Sequence, residues 1–172
     1  MNIIIPIKQS REVKLKDIFR VLWDSTRIKL AMRKPFPGKY PWASSVSHCQ
    51  ISENPLRFFV ADREGGMSEE GVRLKQSTKL KKYFGARTII NPEIIETGKN
   101  FTNSREGCMS FPQDKIVKVK RHEVVTCRYW TFFGPRTRKF FLFRASLLQH
   151  ELDHMDLTNI YERHDKFNWK GH

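Results

Sequence analysis

The chain has 172 residues, 39% of them hydrophobic and 12% aromatic, which is enough apolar material to bury a real core and excludes a disordered tail. Its net charge of +14, from 32 Lys and Arg against 18 Asp and Glu, creates a field that favours polyanions, so nucleic acid or a ribosomal surface suits it as a neighbour. The basic residues are scattered, with only short clusters such as Lys79–Lys82, and a set of plainly solvated faces accounts for them equally well. No run approaches the roughly 18–20 apolar residues that cross a bilayer, and Met1-Asn-Ile-Ile-Ile-Pro-Ile-Lys8 is too short for a secretory core; the expected location is the cytoplasm, with no membrane partner.

The segment from Val13 to about Arg33 predicts an amphipathic helix, with Leu15, Ile18, Phe19 and Leu22 spaced to form one apolar stripe. Pro35-Phe-Pro-Gly38 and Pro41 break it. Leu56–Val60 reads as a short buried strand, Asp62–Gln76 as an exposed loop or insertion, and Thr88–Ile90 as a strand running into Asn91-Pro92. Val117 and Val119 alternate with Lys118 and Lys120 at the period of a half-buried strand. Val124–Phe132 and Lys139–Phe143 read as two arms of a hairpin around Gly134-Pro135, and a helix follows from about Ala145 through Met155. The order predicts one α+β domain over residues 1–172.

That last helix carries His150-Glu-Leu-Asp-His154, an H-E-x-x-H pattern. Residues i and i+4 lie one above the other on a helix face, so two imidazoles at this spacing can bite one ion. Glu151 stands a step aside, where its carboxylate can take a proton from a water on that ion. The competing explanation is a polar helix with two unrelated histidines. Leu147, Leu148, Leu152 and Met155 surround the motif, however, and a buried helix needs a reason to turn His and Glu inward.

A hydrolytic site of this kind holds three protein ligands and leaves a position for water. The three cysteines, at 49, 108 and 127, cannot complete a disulfide framework, so each is a packing residue, a nucleophile or a ligand. Arg105-Glu-Gly-Cys-Met-Ser110 is the most suggestive segment, because Gly107 permits close backbone approach and a thiolate binds metal strongly. Cys127 lies mid-strand and suits packing, while chemistry alone does not exclude Cys49.

Glu106-Gly-Cys-Met-Ser110, followed about forty residues later by Gln149-His-Glu-Leu-Asp-His154, resembles the EGCLS and QHExDH motifs of the peptide deformylases, and Ile90-Asn-Pro-Glu-Ile94 is similar to that family's INPEI strand. The resemblance covers roughly residues 43–163. The family's third motif, GxGLAAPQ, is degenerate here: Ala43-Ser-Ser-Val-Ser-His-Cys-Gln50 replaces its glycines by Ala43 and Ser45 and its alanines by Ser47 and His48.

The resemblance implies mixed antiparallel sheets packed around a central helix carrying the HExxH pattern. It implies Cys108, His150 and His154 as metal ligands, Glu151 as acid–base, and Gln50 with the backbone N–H of Met109 as stabilisers of the oxyanion. Ser45, Val46, Gly107 and Leu147 would line the substrate cleft. The implied ion is ferrous iron, with zinc, nickel or cobalt as substitutes, and the implied reaction is removal of formate from the N-formylmethionine of nascent peptides. Two other readings compete. A zincin-type protease would draw its third ligand from a downstream residue such as His164, and a catalytically lapsed basic module would bind RNA or the ribosome.

Overall fold

The computed structural model describes residues 8–32, 44–62, 86–108, 110 and 116–168, with the side chains of 165–168 left aside. The breakers Pro35–Gly38 and Pro41, the loop beyond Asp62, the Lys79–Lys82 cluster and Met109 lie outside those residues.

A single 3-10 turn, Leu15–Asp17, leads into helix α1, Ile18–Ala31. The turn is fixed by Asp17, whose carboxylate accepts from the Lys14 N–H (3.0 Å) and from the Arg11 guanidinium (2.7 and 2.8 Å). The helix agrees with the apolar periodicity, although it begins at Ile18, five residues after the expected start at Val13, and Arg33 lies outside the described residues. Of the expected stripe, Ile18 packs against the core and the rest does not. Val21, Ser25 and Ile28 face the core, whereas Leu15 and Phe19 are more than four-fifths exposed and Leu22 is half exposed. Leucine and phenylalanine at helical spacing mark a stripe without saying which side of the helix meets the sheet. Here the smaller Val21 and Ile28 fit against Val46, Leu56, Phe58, Val60 and Ile90.

Five strands form one antiparallel sheet in the order β1 (Ser45–Ser47), β2 (Phe58–Ala61), β3 (Arg87–Thr97), β6 (Val124–Thr131) and β7 (Gly134–Phe141). Strands β4 (Phe101–Glu106) and β5 (Val117–His122) make a separate two-stranded ribbon. Strand β3 does not stop at Asn91-Pro92; it passes through them with a register shift between Ile90 and Glu93. Proline cannot donate to a ladder, so it is accommodated at the irregularity. Asn91 there takes a positive φ of 47° and its amide bonds both N–H and C=O of Val13. The β6–β7 hairpin turns at 132–133 rather than at Gly134-Pro135, with Gly134 opening β7 opposite Thr131.

Helix α2, Leu142–Met155, begins three residues earlier than its periodicity suggests, directly after β7. The switch is abrupt: Leu142 adopts φ 48° and its N–H donates to the Glu123 carbonyl at 2.7 Å. Left-handed backbone is unfavourable for leucine, and the helix start is held there by the packing that follows it. Leu148, Leu152 and Met155 bury against Cys49, Phe59, Ile89, Val125, Cys127 and Tyr129 of the sheet side. The opposite side of α2 meets β4 and β5, so the helix lies between sheet and ribbon. A last helix, α3 (Ile160–Asn168), packs Ile160 against Cys108 and Val119. The α+β arrangement around a central HExxH helix therefore stands as expected. No helix among the described residues is long and apolar enough to cross a membrane.

Candidate metal centre

Three elements deliver the site. Helix α2 supplies His150, Glu151 and His154; Cys108 follows the end of β4; β1 and the 3-10 turn after it, His48–Gln50, close the third side. Gln149 locks α2 to the ribbon. Its Oε1 accepts from the His122 N–H at 3.1 Å, and its Nε2 donates to the carbonyls of His122 (2.9 Å) and Ala145 (3.0 Å).

Cys108, His150 and His154 present one ligand atom each, all within 4.8 Å of one another. The Nε2 atoms of the two histidines stand 3.0 Å apart, and Cys108 Sγ lies 3.2 Å from His154 Nε2. A thiolate and two imidazoles converging at this spacing suit a divalent first-row ion such as iron, zinc, nickel or cobalt. The arrangement supplies the third ligand from Cys108. Cys49 and Cys127 are buried in the apolar core, where burial pushes their thiols up to about 12 and about 11. His164, the candidate third ligand of a protease-type site, directs Nδ1 to the Lys118 carbonyl at 2.8 Å and is not part of the cluster.

A charged chain backs these ligands. His150 Nδ1 meets Glu106 Oε2 at 2.9 Å, which leaves Nε2 to face the ion's position. Glu106 in turn accepts two hydrogen bonds from Arg121 (2.9 and 2.8 Å), and Arg121 also donates to Asp153, which takes further bonds from Arg163. Burial raises the Glu106 carboxyl, but Arg121 and His150 outweigh it and hold the group at about 2. At His150, burial works against the imidazolium and is overridden by Cys108 and the two neighbouring glutamates, which raise it to about 10. His154 responds oppositely, pushed well below its usual range by burial and by the positive charge of its neighbours. Its Nδ1 is buried without a hydrogen-bond partner among the described residues.

Glu151 is almost fully buried, and its two carboxylate oxygens accept hydrogen bonds from the hydroxyls of Ser45 and Ser47. Gln50 is also buried; its Oε1 accepts from the Ser47 N–H at 2.9 Å, and its Nε2 donates to Ser110 Oγ at 2.7 Å. The Ser110 N–H points at Cys108 Sγ, 3.4 Å away. Among the expected cleft residues, Gly107 is exposed, Val46 turns its side chain into the core, and Leu147 lines a cavity of about 170 Å³ with Phe59, Tyr129 and Phe140.

Sequence patterns give no role to Glu106, Arg121 or Asp153, although all three are buried beside the ligands. Arg121 falls in phase with Val117 and Val119, on the inward face of β5, so its burial is readable from the alternation while its carboxylate partners are not. Glu106 stands in the EGCMS motif, but its role becomes identifiable only once a partner for His150 is sought.

A buried HExxH helix whose imidazoles meet a cysteine sulfur just beyond the end of a neighbouring strand defines an α+β metal-site protein. A sequence profile described as "Polypeptide deformylase" matches residues 45–169. The chain belongs to the polypeptide deformylase family. It is similar to peptide deformylase 1 of Rickettsia conorii, 39% identical over 69 residues that make up 40% of this chain and 39% of that relative, so it spans about two fifths of that relative's length. Its fold is similar to that of a peptide deformylase from Plasmodium falciparum (TM-score 0.68, 21% identity, 99% of this chain and 89% of that one). It is also similar to a class I type b peptide deformylase from Acinetobacter baumannii bound to Met-Ala-Ser (TM-score 0.66, 20% identity, 95% and 99%).

Proposed function

We propose that this chain is a metal-dependent hydrolase that removes the formyl group from N-formylmethionyl ends of nascent peptides in the cytoplasm. The observation that carries this reading is the meeting of Cys108 with both histidines of the HExxH helix, beside a glutamate whose carboxylate is held in place. Cys108, His150 and His154 would hold a divalent ion, ferrous iron being the family's usual one, and that ion would supply Lewis-acid activation of water near neutral pH.

The chain's own residues then have distinct tasks. Glu151 takes the proton of the attacking water and later gives it to the departing amine of methionine. Gln50, pinned through Oε1 by Ser47, keeps a second N–H on Nε2 beyond the one bound to Ser110, and directs it at the oxygen that becomes negative as the formyl carbon turns tetrahedral. The N–H of Met109 is assigned the same task. Glu106 fixes the tautomer of His150, so that Nε2 carries the lone pair. The +14 charge suits contact with the ribosome, where such peptides emerge.

Metal analysis paired with hydrolysis of formyl-Met-Ala-Ser tests this. Stoichiometric metal, formate release by iron- or nickel-loaded protein, and loss of metal on Cys108→Ala but not on His164→Ala are expected. Bound metal without formate release would instead point to a basic module that has lost its activity.

A further inference from the structure

Glu151 is buried, and among the described residues its carboxylate receives hydrogen bonds from two side chains only, Ser45 and Ser47. A buried carboxylate needs such donors, because it has given up its water. The two hydroxyls come from alternate residues of β1, so the strand period of two sends both toward α2 while Val46 between them goes into the core. Pairing of Ser45 with Ala61 and of Ser47 with Phe59 fixes the register that aims them. Ser47 is bonded further still. Its Oγ lies 3.3 Å from the Glu151 carbonyl, and its backbone N–H holds Gln50 Oε1 at 2.9 Å. One residue therefore joins the proton-carrying group to the amide proposed to face the oxyanion. Both serines stand where the family's motif has glycine and alanine, residues with no hydroxyl to offer.

We propose that Ser45 and Ser47 are positioning residues that clamp the Glu151 carboxylate in its reactive orientation, one hydroxyl to each oxygen, with Ser47 setting Gln50 in the same act. This rests on the hydrolase reading above. A carboxylate offers about four acceptor sites, so two bonds fix the plane of the group and leave the remaining lone pairs for the travelling proton. A hydroxyl is both donor and acceptor. When Glu151 takes the proton from water, a serine can rotate to accept from the new O–H, and the proton later passes on to the amine with the clamp intact. An N–H donor in the same place has no such second role.

The clamp orients the chemistry and leaves substrate affinity alone, so its loss separates kcat from KM. In nickel-loaded protein acting on formyl-Met-Ala-Ser, Ser45→Ala and Ser47→Ala are each expected to lower kcat about tenfold, and the double variant by about a hundredfold, within the range of a mispositioned general base. KM stays within about twofold and metal stoichiometry is unchanged. Ser47→Thr, which keeps the hydroxyl, recovers most of the loss. A rise in KM at unchanged kcat, or full kcat in the double variant, overturns the proposal. Crystal structures of the nickel-loaded wild type and double variant form an independent arm. The clamp requires both Ser–Glu151 bonds in the wild type and a displaced Glu151 carboxylate in the variant; wild-type protein without those bonds refutes it. Should wild-type protein release no formate, the hydrolase reading fails, while the crystal structures still decide whether the clamp exists.

Discussion

Glu106 Oε2 and His150 Nδ1 stand 2.9 Å apart, and this contact determines which nitrogen of His150 is left for a metal. With the proton held on Nδ1, an Nε2 lone pair would be presented, once a metal displaces its proton, to the space shared with His154 and Cys108. Removing the carboxylate charge while keeping the shape, as in Glu106→Gln, leaves the ring free to present either tautomer. Metal affinity is expected to fall about 10–100-fold, the usual cost of losing such a partner. Competition against a chromophoric chelator measures it; unchanged affinity would mean that backbone placement alone orients His150.

Arg121 is buried between Glu106 and Asp153, and it is the cation nearest to both. Arg121→Ala takes a shared partner from two buried carboxylates, and about 3–5 kcal/mol of stability should go with it. The sign of its pH dependence follows from Glu106. That group is held at about 2 in the folded chain, against 4.5 ordinarily, so its contribution is present above pH 4.5 and disappears as the pH falls toward 2. The gap between wild type and Arg121→Ala in urea denaturation is therefore expected to narrow as pH falls below 4.5.

Helices α1 and α2 and the histidine pair are legible in the sequence because each rests on a periodicity, whereas Cys108 rests on the need for a third ligand and on the EGCMS resemblance, and nothing in the pattern announces α3. His150 and His154 are one turn apart on a helix, and α2 exists wherever its leucines repeat. The strand β5 is visible for the same reason, with Val119 buried and Lys118 and Lys120 exposed. What escaped depends on contacts between distant segments. Ser45 and Ser47 read as mere substitutions until β1 pairs with β2 and turns them onto Glu151, more than a hundred positions away. The inward position of Arg121 follows from the β5 alternation, but its partners do not, since Glu106 and Asp153 come from different elements. Gly134-Pro135 has turn composition and so draws the expected hairpin turn to itself, yet Gly134 uses its permitted φ of 106° at the first position of β7.

His48 links α1 to β1 in the core, and its tautomer is fixed by its neighbours. The Leu56 N–H donates to Nδ1 at 2.9 Å, so the proton lies on Nε2, which meets Asp24 at 3.1 Å, while the ring stacks on Phe58. Burial pushes this histidine down to about 4 despite the attraction of Asp24. A group depressed on folding stabilises the native chain above its ordinary value of 6.5, and that stability is lost as pH falls from 6.5 to about 4. The loss should reach about 3 kcal/mol over that window. Thermal unfolding from pH 7 to 4.5 measures it. In His48→Asn, which does not titrate, the decline over this window should be shallower; an equal slope would place the acid sensitivity elsewhere.

The outward stripe of α1 provides a test of packing that sequence periodicity alone would predict backwards. Phe19 and Trp23 are 82% and 68% exposed, while Val21 and Ile28 are fully buried against Val46, Phe58 and Ile90. Large aromatic side chains dominate an apolar stripe read from sequence, so that reading assigns the stability to Phe19. The structure assigns it to Ile28. Truncating Ile28 to alanine removes buried carbon and leaves a cavity in a core that relaxes little, at a cost of about 2–5 kcal/mol. Phe19→Gln and Trp23→Gln remove surface that is already in water, and each should change stability by less than about 0.5 kcal/mol. Chemical denaturation of the three variants distinguishes the two faces. If Phe19→Gln were to cost as much as Ile28→Ala, the helix would be rotated about its axis from the orientation described here, and the hydrogen bond between Asp24 and His48 could not form as it does.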